Sequence, residues 1–309
     1  MKGKRILITG GCGFIGSHLA ERLGGDNEVV ILDDLSTGKL GNIKGLSPEV
    51  ELVKSDICDP KLARKALEDC EYLFHLAALA SVFKSIEEPV RTNRVNVDGT
   101  VSLLDLARKA GLERFVFVSS AAVYGMDPKL PKREDMQVEA TSPYGASKIM
   151  GETYCRVFSK LYGVPCETVR LFNVYGPRQS LESGYATVIP KFISLMKKDK
   201  SPQIYGDGKQ TRDFIHVDDV VVGLLLAAER GSGMGEVYNL ASGKETSVNG
   251  LVEMLNAVLG KDIRAVHVEP VEGDIRFSYA DISKAERELG FSPQTSLRDG
   301  LKKTLGFYS

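Results

Sequence analysis

The first half of the chain alternates short, almost wholly apolar runs with longer segments whose apolar positions recur every three or four residues. Arg5–Thr9, Glu28–Leu32, Glu51–Lys54, Tyr72–Leu76 and Arg114–Ser119 are rich in Ile, Val and Phe and bounded by turn residues, which predicts strands. Phe14–Leu23, Lys61–Glu68 and Val90–Ala110 carry the helical period between them. Apolar strands separated by helices predict a parallel sheet covered on both faces. A helix over Pro143–Tyr162 and a strand over Cys166–Phe172 follow. Beyond them the alternation becomes irregular, with loops at Gly176–Gly184 and Gly206–Arg212. Phe214–Val217 and Val237–Leu240 read as strands rejoining the main sheet around a helix at Asp218–Ala228. Gly250–Leu259, Ser283–Leu289 and Ser296–Leu305 read as late helices. No fixed-period repeat or low-complexity linker divides the chain. The expected fold is a doubly wound, Rossmann-type α/β sheet formed by residues 1–170 together with 214–240. A smaller α/β lobe for substrate is expected from 171–213 and 241–309.

Composition excludes several partners. The 309 residues are 43% hydrophobic and 26% charged, ordinary for a globular enzyme. A formal net charge of −1 gives no global field toward nucleic acid or anionic lipid. A polyphosphate ligand would need local features: helix N-termini, Gly-rich loops, placed arginines. Cys12, Cys58, Cys70, Cys155 and Cys166 are scattered without a C-x-x-C pair, which points to reduced thiols and away from zinc. The apolar run after the basic start, Ile6–Ile8, is too short for a signal peptide. Val220–Ala228 falls far short of the roughly 20 residues of a membrane span. The expectation is a cytoplasmic protein with no metal, no membrane and no nucleic acid.

Directly after the first predicted strand comes Thr9-Gly10-Gly11-Cys12-Gly13-Phe14-Ile15-Gly16, which opens a helix. Its glycines fit both G-x-x-G-x-x-G and G-x-G-x-x-G. They allow a tight turn and close backbone approach, so that helix-terminal N–H groups can hold a pyrophosphate. Such a match could also be a plain glycine turn; its place between strand and helix gives it weight. The second strand ends in Asp33-Asp34, about 20 residues on, where a carboxylate can accept from ribose hydroxyls. It would repel a 2′-phosphate, so NAD is expected rather than NADP. Asp33 read alone could equally be a strand-end turn residue.

In Ser142-Pro143-Tyr144-Gly145-Ala146-Ser147-Lys148, Ser142 suits an N-cap and Pro143 the first helical turn. Tyr144 and Lys148 then share one helix face. An ammonium beside the phenol is expected to lower its pKa and make Tyr144 a general base for a hydroxyl. Two ordinary surface residues would give the same spacing. Ser120, at the end of the fifth strand, could hydrogen-bond the reacting oxygen and the phenol, or merely turn the chain.

Thr9–Gly16, Asp33, Asp56-Ile57, His75–Ala78, Asn96–Thr100, Ser119–Gly125 and Tyr144–Lys148 together resemble the extended short-chain dehydrogenases, and among them the UDP-hexose 4-epimerases, in order along nearly the whole chain. The resemblance implies NAD as cofactor and a UDP-sugar as substrate. It implies that Asp56 and Ile57 flank the adenine, that Ala77 and Asn96 line the NAD path, and that Lys148 binds the nicotinamide ribose. Ser120 and Tyr144 would do the proton chemistry. The same likeness extends the cofactor set to Phe14, Ile15, Asp34, Ser36, Thr37, Gly38, Leu76 and Ala78. Leu171–Gln179 and Gly206–Val217 are similar to the family's sugar-nucleotide loops, which implies Asn173 and Arg212 at the diphosphate and Tyr205 against the uracil. An arginine fork suits phosphate, although Arg212 could instead pair with Asp207 or Asp213. Gly273–Ser278 implies Asp274 near the ribose and Arg276 near the phosphates; Val271 departs from the arginine common in the family. His216, in a strand-like run without a ligand partner, reads as structural. A homodimer through a four-helix bundle formed by Val90–Ala110 and Pro143–Tyr162 is also implied, although burial against the sheet would explain many of the same apolar residues.

Within that family a dehydratase would carry Asp and Glu after the strand-end hydroxyl, and a sugar-acid decarboxylase a Glu in the same segment. This chain has Ala121 and Ala122, which cannot transfer protons. The expected reaction is 4-epimerisation. Ser278 matches a position where many epimerases have a bulky residue closing the pocket against a 2-acetamido group. Ser81 and Gln179 resemble residues of enzymes acting on N-acetylated sugars, and Val188 completes the substrate set. UDP-GlcNAc/UDP-GalNAc, with UDP-Glc/UDP-Gal, is therefore the expected substrate pair. UDP-glucuronate epimerisation or another NAD-dependent change to a nucleotide sugar is the alternative. A non-catalytic NAD-sensing protein is a remote one.

Overall fold

The computed structural model describes residues 1–180, 187–270 and 275–308. β1 (Arg5–Thr9) passes through the glycine turn into α1 (Phe14–Leu23), followed by β2 (Glu28–Asp33), β3 (Val50–Lys54), α2 (Pro60–Leu67) and β4 (Tyr72–His75). Next come α3 (Val82–Glu87), α4 (Pro89–Asn93), a π-helical turn (Arg94–Asp98) and α5 (Gly99–Ala110). β5 (Arg114–Ser120), α6 (Pro143–Tyr162), β6 (Cys166–Leu171), β7 (Asn173–Tyr175) and α7 (Val188–Lys197) continue the chain. The remainder comprises β8 (Gln203–Tyr205), β9 (Thr211–Arg212), β10 (Phe214–His216), α8 (Val217–Arg230), β11 (Met234–Leu240), β12 (Thr246–Ser247), α9 (Val248–Leu259), β13 (Val266–Val268), α10 (Ser283–Leu289) and α11 (Leu297–Phe307).

Seven parallel strands in the order β11-β6-β5-β4-β1-β2-β3 form the central sheet, the Rossmann-like arrangement expected. Alternate residues of each strand face opposite layers. Ile6 and Ile8 of β1 pack with Leu19 of α1, Leu224 of α8 and Leu289 of α10. Leu7 between them packs with Ala63 of α2, Leu103 of α5 and Phe158 of α6. A third core joins Ile189 and Phe192 of α7 to Leu251 and Leu255 of α9 and Leu301 of α11. Among the described residues no helix is long and apolar enough to cross a membrane.

The helix that carries the Tyr–Lys pair begins and ends where its caps say it should. Ser142 Oγ accepts from Gly145 N–H at 3.1 Å, Pro143 fills the first position, and Gly163 ends the helix at φ +67°. An N-cap of this type contributes about 1 kcal/mol, and glycine alone meets no penalty at that C-terminal angle.

Three expectations need correction. Phe214–His216 does not rejoin the main sheet: it pairs in parallel with Asn173–Tyr175 as a separate two-stranded unit. The chain leaves the sheet after Leu171, and Val217 already belongs to α8, whose first turn carries Asp218 and Asp219. Only Met234–Leu240 returns, beside β6. The predicted helix Val90–Ala110 is interrupted by the π turn, an extra residue per turn that amphipathic periodicity does not reveal. Finally, Val188–Lys197 is a helix to which sequence patterning ascribes no element. Pro190 masks it, yet a proline is tolerated in a first turn.

Candidate active site

The carboxyl ends of β2, β4, β5 and β6 open onto one cleft of about 660 Å³. At one end lies the glycine turn. Gly10 sits at φ +71°, and a Cβ there would come 2.8 Å from the Ala77 nitrogen; a Cβ on Gly16 would come 2.3 Å from the Gly10 carbonyl oxygen. Backbone therefore meets backbone with no room for a side chain, and the first N–H groups of α1 are left to face an anion. Phe14, Ile15, Asp34, Ser36, Thr37, Asp56, Ile57, Leu76, Ala77 and Ala78 line the same end.

Asp33 stands where the glycine turn meets the cleft. Its carboxylate accepts from Cys12 N–H at 2.9 Å and Leu35 N–H at 2.8 Å, so it ties the glycine turn, yet it also lines the cleft. Burial pushes its pKa up and these two N–H bonds pull it back. Gly38 lies behind it: a Cβ there would come 2.8 Å from Cys12 Cβ and 2.9 Å from Asp33 Oδ1. Glycines that a Cβ would block, a helix N-terminus and a carboxylate ending the second strand fit a dinucleotide.

Beneath this end runs a buried relay. Thr9 accepts from Ala77 N–H at 3.2 Å and donates to His75 Nδ1 at 2.7 Å. His75 Nε2 donates to Thr100 Oγ1 at 2.9 Å, which donates to the Asn96 carbonyl at 2.6 Å. Burial depresses the His75 pKa to about 3, so the ring is neutral and structural. Asn96, placed by the π turn, does not line the cleft. Its side chain accepts from Leu79 N–H at 2.8 Å and donates to the Leu79 carbonyl at 3.3 Å and to Ser147 Oγ at 3.0 Å, clamping a segment that does.

Ser120, Tyr144 and Lys148 meet in the middle of the cleft. The Lys148 ammonium donates to the Val118 carbonyl at 2.8 Å and lies 5.9 Å from the centre of the Tyr144 ring. The expected depression of the phenol is not supplied by this pair. Burial raises the Tyr144 pKa, and the hydrogen bond with Ser120 is what opposes it. Lys148 is itself lowered to about 8 by burial, with Glu152 opposing.

At the far end Asn173, Gln179, Val188, Arg212 and Ser278 line the cleft. Gln179 donates to the Val174 carbonyl and to Thr187 Oγ1, each at 3.1 Å. Its Oε1 has no hydrogen-bond partner among the described residues. Buried Asp213 ties these loops together: Oδ1 accepts from Ser242 N–H (2.8 Å) and Oγ–H (2.6 Å), Oδ2 from Gly243 N–H (3.0 Å) and Ala280 N–H (3.2 Å). It thereby fixes Arg212 and Ser278 relative to each other.

Other predicted residues stand apart. Ser81 caps α3, accepting from Lys84 N–H at 3.2 Å, while its neighbours Ala80 and Val82 line the cleft. Tyr205 is exposed on β8, and Arg276 is exposed and paired with Asp207 at 2.7 Å. Asp274 and Val271 lie outside the described residues. His216 is buried, with Nδ1 accepting from Asp218 N–H at 3.3 Å and its ring edge-on to Tyr175. Sequence reasoning misses Thr187, Ile275, Arg91 and Arg94, which line the cleft. The paired arginines just before Asn96 were the available signal; nothing marks Thr187 or Ile275. Among the described residues no cluster of His, Cys, Asp or Glu could hold a metal ion.

A family profile described as GDP-mannose 4,6 dehydratase matches residues 7–304. A UDP-glucose 4-epimerase of Mycolicibacterium smegmatis is 40% identical over 98% of this chain and 98% of its own. Among solved structures, the UDP-N-acetylglucosamine 4-epimerase of Methanobrevibacter ruminantium, in complex with UDP-N-acetylmuramic acid, is 40% identical. It superposes with a TM-score of 0.96, covering 100% of this chain and 99% of that one. The UDP-glucuronic acid 4-epimerase of Bacillus cereus, with UDP-glucuronic acid and NAD, is 34% identical with a TM-score of 0.89, covering 98% of each chain.

Proposed function

The chain belongs to the GDP-mannose 4,6-dehydratase family of extended short-chain dehydrogenases, and from that premise we propose that it interconverts UDP-GlcNAc and UDP-GalNAc, with UDP-Glc and UDP-Gal as further substrates. It is an NAD-dependent UDP-sugar 4-epimerase. One observation favours epimerisation over the dehydration in the family's description. Among the described residues, the carboxylates lining the cleft are Asp33, Asp34 and Asp56, all at the glycine end. Around Ser120 and Tyr144 stand Ala121 and Ala122, so among the described residues no carboxyl there can move a proton between C5 and C6.

NAD, when bound, supplies a reversible two-electron acceptor for C4. Gly10, Gly16 and the N-terminus of α1 would hold its pyrophosphate and Asp33 its adenosine ribose. Tyr144, oriented by Ser120, would take the C4 hydroxyl proton as the phenolate and later return it; the positive charge of a bound nicotinamide would favour that form against the burial that disfavours it. Lys148 would bind the nicotinamide ribose. Between the two transfers the 4-keto sugar must present its other face. Asn173 and Arg212 would grip the diphosphate while the small side chains Ala121, Ala122 and Ser278 leave room to turn.

Support for an N-acetylated sugar comes from the small Ser278 and from Gln179, both of which line the sugar end of the cleft. Incubating the purified protein with UDP-Glc, UDP-GlcNAc and UDP-GlcA and identifying products by NMR tests the reading; conversion of UDP-GlcA alone would refute it. Ser278→Tyr should lower kcat/KM for UDP-GlcNAc by about 10-fold or more and spare UDP-Glc, since filling a pocket discriminates on that scale. Equal retention of both activities would remove Ser278 from the argument.

A dimer is part of the same reading. Met150, Tyr154, Val157 and Leu161 of α6 form an exposed stripe, continued by Phe83, Ile86 and Val90. Their coiled-coil-like spacing suits a second copy.

A further inference from the structure

Glu152 lies one turn beyond Lys148 on α6 and is buried, 4% exposed. Its carboxylate joins three elements. Oε1 accepts from Ser119 Oγ–H at 2.5 Å and from Arg170 Nε at 2.9 Å; Oε2 accepts from Arg170 Nη2 at 2.7 Å. Ser119 is the residue before Ser120, and Arg170 is on β6. The guanidinium also lies 4.8 Å from the centre of the Tyr124 ring, whose hydroxyl donates to Asn239 Oδ1 at 2.7 Å. Asn239 Nδ2 in turn donates to the Lys132 and Asp281 carbonyls at 2.9 and 3.2 Å.

A buried ion pair is a poor way to gain stability, because apolar side chains of similar volume serve as well or better. Its directional bonds do fix geometry. Here they fix the end of β5, which carries Ser120, against the face of α6 that carries Tyr144 and Lys148. We propose that Glu152, clamped by Arg170, is a positioning residue that holds Ser120, Tyr144 and Lys148 in reacting register. This rests on the reading of those three as the proton-handling group.

The surroundings give Glu152 a second effect. On α6, Lys148 is faced by Tyr144 and Cys155, both raised by burial; on β4 by His75, lowered to about 3. His75 and Cys155 are neutral near pH 7, and Tyr144 is charged only as the phenolate that serves as base. Glu152 is the carboxylate that favours the ammonium, partly offset by Arg170 behind it. Removing its charge lowers the Lys148 pKa, so activity that needs the ammonium is lost at lower pH.

The test uses the full-length, NAD-loaded protein with UDP-Glc and UDP-GlcNAc. Tyr144→Phe comes first: if turnover persists, the reading of the proton-handling group fails, separately from this proposal. For Glu152→Gln, kcat should fall about 10-fold or more with KM within about threefold, and the alkaline limb of the kcat profile should move down by about one pH unit. A purely structural residue would lower the melting temperature and leave that limb in place. Should Glu152→Gln fail to fold, E152M/R170M removes both charges together and tolerates burial. In that double variant the two lost charges offset each other at Lys148, so low kcat with KM within about threefold supports the proposal. Wild-type kcat in either variant overturns it.

Discussion

At the glycine turn the cleft is shaped by backbone packed on backbone; where it runs past α6 and the later loops it is shaped by side chains. Gly10 and Gly16 make the first end by having nothing to contribute, since a Cβ on either would strike main chain. The sugar end draws Asn173, Gln179, Val188, Arg212 and Ser278 from separate segments and depends on Asp213 to keep two of them in place. A backbone site recognises what every dinucleotide shares. A side-chain site can be revised one residue at a time, which suits a family whose members act on different nucleotide sugars.

That contrast can be broken by experiment. The largest effect is expected between the two ends: Tyr144→Phe should reduce kcat by about 10³-fold while NAD stays bound, the scale of losing an acid–base group. Loss of NAD along with activity, seen in the absorbance of the purified variant, would contradict a proton-handling role. Gly16→Val should act the other way. With its Cβ forced to 2.3 Å from a carbonyl oxygen, NAD affinity should fall about 100-fold, read by calorimetry, with UDP affinity within about threefold. A variant that bound NAD as wild type would sink the close-approach argument.

A smaller effect concerns pH. Lys148 is an ammonium below about 8 and an amine above it, so kcat should decline about fivefold from pH 8 to 9. Its folded-state pKa lies below the ordinary 10.5, so the unfolded chain binds the extra proton between those values. Its contribution to stability therefore rises with pH across that window. Activity falling while the melting temperature holds would separate deprotonation of Lys148 from unfolding. An activity plateau to pH 10 would remove the ammonium from the mechanism.

Much of the fold was legible because local signals agreed. α1 and α6 run between the residues expected, one opening on a glycine turn, the other framed by Ser142, Pro143 and Gly163. Strands β1, β2, β4 and β5 are apolar on both faces and so announce a covered parallel sheet. Patterning failed where an element owes its place to tertiary context. The pairing of β10 with β7 joins two three-residue strands about 40 positions apart, with no periodicity to betray it. The site divides likewise. Glycine turn, Asp33, Ser120, Tyr144 and Lys148 share one cleft because the sheet carries them to one edge. Tyr205 and Arg276 stand outside it, because short strands and loops, not the sheet, determine where they point.

α1 also carries more than the glycine turn. His18 Nε2 meets the Pro177 carbonyl at 2.9 Å, and Arg178, at φ +66°, pairs with Glu21 at 2.6 Å, two residues before and one before Gln179 in the sugar-end loop. A ten-residue helix is a rod about 15 Å long, so the loop rests on the same rod whose tip faces the cofactor. Grafting that loop from a relative with a different sugar preference is therefore not a one-segment exchange. A chimera must bring matching partners for positions 18 and 21, or the new loop will lack its footing however well its own residues suit the new sugar.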